Sequence, residues 1–193
     1  MSDRYWDSGC FMAVFNKEDG RVDNCQSILL AAERGEIRIV TSALTLTEVI
    51  KIKGKATLAA DSEDTIRAFF EHEWIVVRDV DRFIAEQARD FIWKYKLQPY
   101  DAIHLATAYK MKLQHLDTYD RTDLGKLDGK LGVPEMKIGK PPRIPYQTNL
   151  PGIQPTVQTS KRTKTAKPEV AAPKKKRRKV TSEKTLADDA GSK

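Results

Sequence analysis

Apolar residues along this chain fall into two alternating patterns, short continuous runs typical of buried strands and longer segments with helical spacing. The runs predict strands at residues 4–6, 37–42, 74–80, 114–119 and 136–139. The helical spacing predicts helices over residues 24–34, 43–54, 64–72, 81–96 and 100–112, whereas CFMAVFN at residues 10–16 fits either a helix or a loop. Helices that alternate with strands indicate an α/β fold, here a three-layer α/β/α sandwich around a central, mainly parallel sheet.

Local signals mark several boundaries and the expected core. Gly35 ends a helix as a glycine C-cap, and Pro99 precedes another, because the residue before a proline is pushed away from helical geometry. Buried positions on the later helices are expected at Leu44, Val49, Ile50, Phe83, Ile84, Ala88, Phe91 and Ile92. We expect all three tryptophans to serve the core rather than to stack on bases, namely Trp6, Trp74 and Trp93.

The composition divides the chain near residue 140. Of its 193 residues, 40% are hydrophobic and 32% are charged, which allows one core but leaves part of the chain too polar to fold. Residues 141–193 contain 13 Lys and Arg against 4 Asp and Glu, whereas residues 1–140 contain 21 against 23. The net charge of +7 therefore belongs to the C-terminal part. We interpret residues 1–140 as one domain and residues 141–193 as a proline-rich, then basic, disordered tail.

The cysteine count and the length of the apolar runs exclude three classes of protein. These are zinc-binding, disulfide-stabilised and membrane-spanning proteins. Cys10 and Cys25 are the only cysteines and lack paired histidine spacing. No apolar run approaches the roughly 20 residues of a membrane helix, and the N-terminus lacks a signal-peptide pattern. We therefore expect an intracellular protein with no membrane partner, cytoplasmic if its source is prokaryotic or a phage.

Four acidic residues, each near a small or hydroxyl residue, suggest a metal site. Asp7 and Asp120 follow strand-like runs, and Glu48 and Asp101 lie in early turns of predicted helices. Such positions can converge at the edge of a parallel sheet where ligands bind. Because gathered carboxylates repel one another unless a hard cation neutralises them, the pattern predicts bound Mg²⁺ or Mn²⁺.

The segments around these acids, YWDSG, TSALTLTEV, PYDAIHLATA and TYDRTDL, resemble the motifs of the PIN domain, a family of metal-dependent ribonucleases. The resemblance spans roughly residues 4–140. It implies that Asp7, Asp101 and Asp120 hold one or two Mg²⁺ or Mn²⁺ ions. It also implies that Glu48 binds the ion or orients its water, which completes a catalytic set of four acids. Roles in orienting carboxylates or touching phosphate are implied for Ser8, Ser42 and Thr118.

Several residues near these acids have a second interpretation. Asp117, Asp120 and Asp123 compete within the fourth segment, where the match to TYD selects Asp120. Asp117 is expected inside or at the edge of the strand, and Asp123 could assist through a water. We interpret His104 as a partly buried helix residue and Cys10 as a small packing residue rather than a nucleophile. The three hydroxyl residues could equally be turns or caps.

A dense basic run, PKKKRRKV at residues 173–180, resembles a monopartite nuclear localisation signal. Its consecutive charges are Lys174, Lys175, Lys176, Arg177, Arg178 and Lys179. Such a run attracts phosphate polymers with little sequence preference. It could tether RNA or DNA, direct nuclear import in a eukaryotic host, or remain a solvated tail without a partner. We favour the tether.

The leading hypothesis is a Mg²⁺- or Mn²⁺-dependent endoribonuclease that acts on RNA, with single-stranded DNA as a second possible substrate. By resemblance, it is the toxin of a toxin–antitoxin pair, with an antitoxin protein as partner and a homodimeric assembly. An RNA-processing nuclease and a non-catalytic nucleic-acid-binding module remain alternatives, although four retained acids disfavour the second. A phosphatase-like enzyme is disfavoured because the sequence shows no obvious DxD-type nucleophile motif and no phosphate-binding glycine loop.

Overall fold

The computed structural model of this protein describes residues 1–50 and 63–145. Its strands are β1 (Ser2–Trp6), β2 (Ile37–Ser42), β3 (Ile75–Arg78), β4 (His115–Asp117) and β5 (Lys137–Gly139). Its α-helices are α1 (Ser8–Phe15), α2 (Val22–Glu33), α3 (Thr45–Glu48), α4 (Glu63–Phe70), α5 (Arg82–Tyr95) and α6 (Pro99–Lys110). A 3-10 helix (Leu124–Leu127) separates β4 from β5.

The described strands form one parallel sheet in the order β3-β2-β1-β4-β5. Tyr5 of the central strand pairs with Val40 on one side and with Leu116 on the other. Since the strands are parallel, all their carboxyl ends lie along the same edge. The predicted fold class is confirmed.

Alternate residues of the strands point into two separate cores, one on each face of the sheet. Tyr5, Val40 and Leu116 pack against α5 and α6. The other face directs Trp6 and Ile39 towards α1, α2 and α4. Helices therefore cover both faces, which produces the three layers and explains why the neighbouring residues Tyr5 and Trp6 are both fully buried.

Local geometry resolves the boundaries that the sequence left open. Asp7 is the N-cap of α1, so CFMAVFN belongs to a helix and not to a loop. Gly35 follows α2 with φ at 73°, a left-handed conformation that glycine adopts without a steric penalty. Pro99 occupies the first turn of α6, where its missing N–H costs no hydrogen bond.

The structure corrects several predictions about helices. The long helix expected from residue 43 is only four residues in the described part, and Glu48 is its last residue rather than near its beginning. Residues 51–54 of that prediction lie outside the described residues. Ile50 is exposed, whereas Val49 is buried as expected. On α5, Phe83 is 69% exposed and Trp93 is 63% exposed, so neither serves the core.

The burial predicted from helical spacing is wrong for Phe83 and Trp93 for different reasons. Phe83 lies in the first turn of α5, beyond the stretch where Ile84, Ala88 and Phe91 reach the core. The Trp93 ring instead lies beneath the guanidinium of Arg89, 5.0 Å from its centroid, one helical turn away. A cation–π contact at the surface is thus the indole's only ring or ion contact within the described residues.

The segment after β5 contacts α2. The side-chain amide of Asn24 donates to the Pro141 carbonyl at 2.9 Å, and the Ile144 amide donates to the Ser27 hydroxyl at 2.9 Å. The domain boundary at residue 140 stays a prediction, and the basic run lies outside the described residues. No helix within residues 1–50 and 63–145 is long and apolar enough to cross a membrane.

Candidate metal centre

The candidate site lies where the strand order reverses direction. The chain proceeds from β1 outward through β2 to β3, then returns to place β4 on the other side of β1. Open parallel sheets bind ligands in the crevice that such a reversal creates at the carboxyl ends of the strands. Asp7 directly follows β1, and Thr118 directly follows β4, so these residues flank the crevice.

Thr118 connects the first and fourth acidic segments. Its hydroxyl donates to Oδ2 of Asp7 in a short hydrogen bond and accepts the Asp120 amide at 2.9 Å. Oδ1 of Asp7 accepts the Cys10 amide at 3.1 Å, which is the N-cap contact of α1. Burial raises the pKa of Asp7, and the hydrogen bonds from Thr118 and Cys10 only partly oppose this rise.

Asp120 is held by the turn that follows it. Its carboxylate accepts the Thr122 amide at 2.7 Å, the Thr122 hydroxyl at 2.8 Å and the Leu124 amide at 3.2 Å. Burial would raise the pKa of Asp120, but these hydrogen bonds outweigh it, so the pKa is lowered. Asp120 therefore stays ionised and fixed in position.

Asp101 has the opposite environment. It lies in the first turn of α6, half-buried, and within the described residues no group donates a hydrogen bond to its carboxylate. Burial and the negative charge of Asp120 raise the pKa of Asp101 to about 6. Asp123 and Asp7 add to this rise. The protein thus holds this carboxylate among like charges without a compensating donor.

Three of these carboxylates offer a joint site for a cation. One oxygen from each of Asp101, Asp120 and Asp123 lies within 4.8 Å of the other two. An all-oxygen donor set suits a hard cation such as Mg²⁺ or Mn²⁺, and a cation would remove the repulsion recorded in the pKa of Asp101. The residues therefore fit a divalent ion.

The three acids of this trio differ in part from the metal ligands that the resemblance implied, which were Asp7, Asp101 and Asp120. Asp101 and Asp120 each contribute an oxygen, and the third oxygen comes from Asp123, for which the sequence suggests a role through a water. Asp7 lies next to the trio, joined to it through Thr118. The turn after Asp120 also brings the Asp123 amide to the Asp120 carboxylate, at 3.3 Å.

Glu48 contacts α6, the helix that carries Asp101, through the side chain of His104. Its Oε2 lies 2.8 Å from Nε2 of His104, and Nδ1 of that ring lies 2.8 Å from the Tyr5 hydroxyl. His104 is 2% exposed, so the expectation of a partly buried residue understated its burial. One signal was present in the sequence: His104 stands three residues after Asp101, a spacing that places both on one side of a helix.

The family assignment follows from the sequence match. The model of the PIN domain family matches residues 4–130, a span that contains all the acids described above. The chain belongs to the PIN domain family. No curated protein matches the sequence at a significant level.

Solved structures agree with this PIN fold. A toxin–antitoxin complex from Klebsiella pneumoniae is 22% identical, with a TM-score of 0.50, over 73% of this chain and 99% of that one. VapC20 from Mycobacterium tuberculosis, a toxin that cleaves the sarcin-ricin loop, is 17% identical, with a TM-score of 0.54 over 65% and 95%. At these identities, the likeness concerns the fold alone.

Of the remaining candidate residues of this PIN domain, all but Ser8 have structural hydrogen bonds within the described residues. The Ser42 hydroxyl accepts the Leu44 amide at 3.2 Å, as a turn residue does, and within the described residues the Ser8 hydroxyl makes no hydrogen bond. Asp117 ends β4, where Arg4 and Trp6 donate to its carboxylate. Cys10 is fully buried and donates to the Asp117 carbonyl, which agrees with a packing role.

Proposed function

We propose that this PIN domain is a metal-dependent endoribonuclease. The observation that carries the proposal is the trio of carboxylates, Asp101, Asp120 and Asp123, gathered at the reversal point of the sheet. The Asp101 carboxylate lies beside two other acids and accepts no hydrogen bond within the described residues, which supports a cation as its partner. Membership of a nuclease family supports hydrolysis of a phosphodiester over other metal-assisted reactions.

The contacts of each residue indicate its role in the proposed reaction. Asp101, Asp120 and Asp123 would hold Mg²⁺ or Mn²⁺, with Asp7 beside them. The bound ion supplies Lewis acidity, which lowers the pKa of water and offsets charge on the scissile phosphate. Thr118 keeps Asp7 and Asp120 in a fixed relation, and Glu48 directs one oxygen to His104. Its other oxygen accepts no hydrogen bond within the described residues and is free to orient a water.

RNA is the proposed substrate, and the toxin of a toxin–antitoxin pair is the proposed biological class. Both similar structures come from toxin systems, and one of those proteins cleaves the sarcin-ricin loop, which supports this choice. An antitoxin protein is then the expected partner. The alternative within the same chemistry is a nuclease that processes RNA without stopping growth.

Purified full-length protein incubated with labelled RNA, single-stranded DNA or a generic phosphomonoester, with Mn²⁺ or with EDTA, tests the activity. We expect RNA to be cleaved only with the metal, and Asp101→Asn or Asp120→Asn to lower the rate at least about 100-fold. Asp90→Asn, on the exposed side of α5, is the matched control and should cleave normally. Cleavage that persists in EDTA or in Asp101→Asn would contradict the assignment.

Growth of cells that express the chain separates the two biological classes. A toxin should arrest growth on induction, and the Asp101→Asn variant at equal expression should not. Relief by the product of an adjacent gene would identify the antitoxin. Normal growth of cells that contain active nuclease would favour RNA processing instead.

A further inference from the structure

The buried imidazole of His104 makes two hydrogen bonds that reach from the core to the candidate site. Nε2 meets Oε2 of Glu48, and Nδ1 meets the hydroxyl of Tyr5, each at 2.8 Å. The rings of Tyr5 and His104 also meet edge to face, with centroids 5.9 Å apart. A buried polar group left without a partner costs about 1–3 kcal/mol, so both contacts are needed to keep the ring in the core.

The chemistry of the partners determines which nitrogen carries the proton. A carboxylate only accepts hydrogen bonds, so Nε2 must donate to Glu48. In the neutral ring, Nδ1 then accepts, and the Tyr5 hydroxyl donates to it. Burial, followed by the charge of Asp7, raises the pKa of Tyr5 well above its usual value, so the phenol keeps the proton it donates.

Glu48 depends on this contact for its orientation. It is the last residue of a four-residue helix, and its side chain is about one quarter exposed. Within residues 1–50 and 63–145, His104 is the only group that hydrogen-bonds to the Glu48 carboxylate. The three side-chain torsions of Glu48 are thereby restricted by one donor on a rigid helix.

We propose that His104 is a positioning residue, whose Nε2–H holds the Glu48 carboxylate at the metal centre while Tyr5 fixes the orientation and tautomer of the ring. This role rests on the proposed nuclease function, because it deepens the part assigned to Glu48. Partners that orient groups around a metal centre typically change activity or affinity by 10–100-fold when they are removed.

Two amide variants of His104 distinguish a role in positioning Glu48 from a role in packing alone. The amide nitrogen of His104→Gln lies close to the place of Nε2 and can still donate to Glu48, whereas the shorter His104→Asn can reach Tyr5 only. We expect His104→Asn to lower kcat about 10–100-fold with KM within about twofold. His104→Gln should recover kcat to within about threefold of the natural chain. Equal activity of the natural chain and His104→Asn, or equal loss in both variants, would overturn the role.

Nitrogen NMR of the metal-free full chain tests the contact without any activity. The chain has three histidines, so the His104 signals are those lost in His104→Gln. We expect a proton on Nε2, and we expect Glu48→Ala to shift that proton signal or remove it. A ring protonated on Nδ1 alone, or an Nε2 proton signal unchanged in Glu48→Ala, would overturn the proposal.

The two experiments also distinguish this proposal from the nuclease assignment. A chain that shows the expected Nε2 proton and its response to Glu48→Ala, but cleaves no RNA, would contradict the nuclease function and keep the contact. His115→Asn is the matched control, because His115 begins β4 at the end opposite the site. It should change neither kcat nor the His104 signals.

Discussion

Asp101 is the residue at which the charge of the site is least compensated. Asp7 and Asp120 each accept hydrogen bonds, whereas within the described residues the Asp101 carboxylate accepts none. Its pKa rises to about 6 because burial and neighbouring carboxylates favour the protonated form. A site prepared for a cation therefore lowers the stability of the metal-free fold, a cost that binding of the ion would reverse.

The free energy of unfolding of the metal-free protein should depend on pH through the ionisation of Asp101. The pKa of Asp101 in the folded protein lies above its unfolded value of 3.8. Its contribution to the free energy of unfolding is therefore fully present below about pH 4 and is lost as pH rises through about 6. At pH 7.5 in EDTA, Asp101→Asn should therefore be more stable than the natural chain. Discounted for the half-exposed side chain, the gain is about 1 kcal/mol, or about 2–4 °C in Tm.

Urea unfolding at pH 4.5, 6.0 and 7.5 measures this effect, with Asp90→Asn as the exposed control. Saturating Mn²⁺ should raise the Tm of the natural chain but not that of Asp101→Asn. An Asp101→Asn variant that matches the natural chain in both its pH profile and its response to Mn²⁺ would show that Asp101 does not carry the unbalanced charge.

Strands β1 and β4 are joined by a buried ion pair as well as by backbone pairing. Arg4 donates twice to the Asp117 carboxylate, at 2.8 and 2.5 Å, and the Trp6 indole donates a third hydrogen bond at 3.1 Å. The two charged side chains are only 12% and 3% exposed. Because these strands flank the crevice, the pair maintains the spacing between Asp7 and Thr118.

Breaking this ion pair should cost far more than breaking a surface pair on the same sheet. Arg4→Met leaves the Asp117 charge buried, and we expect a loss of about 3–5 kcal/mol in the free energy of unfolding. Arg38→Met removes the partner of Asp3 in a pair with side chains 40% and 27% exposed, and should cost less than about 1 kcal/mol.

Urea denaturation of both variants provides the comparison, and a double variant provides the control. Arg4→Met combined with Asp117→Leu removes both charges and should be more stable than Arg4→Met alone. Similar losses in Arg4→Met and Arg38→Met would mean that the buried pair adds no more than a surface contact.

Charge is distributed unevenly over the whole molecule. Residues 1–140 have a small excess of acids, and residues 141–193 supply the positive charge. An acidic domain repels a polyanion such as RNA except where a metal offsets its charge. Under the proposed nuclease function, attraction for RNA would come largely from the bound ion and from the basic run at Lys174–Lys179.

Removal of the basic segment should weaken RNA binding and reduce its salt dependence. In an Asp101→Asn background that prevents cleavage, deletion of residues 161–193 should lower affinity at 50 mM salt. Replacement of the six consecutive charges by glutamine should reduce the slope of log K against log salt by up to about 4, the expectation for single-stranded RNA. Titration of labelled RNA between about 50 and 200 mM salt measures the slope. An unchanged slope would reject the tether.

The alternation of apolar patterns was enough to predict the parallel, three-layer sandwich, because connections between parallel strands require helices that cross a face of the sheet. The pattern also indicated that Asp7, Asp101 and Asp120 could lie near one edge of the sheet, since the carboxyl ends of parallel strands share that edge. Periodicity failed at Phe83 and Trp93, where helical spacing alone did not show how far the core extends along α5.

The sequence by itself determined which segments carry the acids, and its pattern allowed those acids to converge at one edge of the sheet. Only the tertiary structure decided that Asp123 completes the carboxylate trio, that Thr118 joins Asp7 to Asp120, and that His104 holds Glu48. Strand order and helix placement are encoded in patterns that repeat along the chain, whereas these contacts depend on side-chain distances of 3–5 Å between segments far apart in sequence. No periodic pattern specifies distances of that kind, because they are set by how the packed elements close on one another.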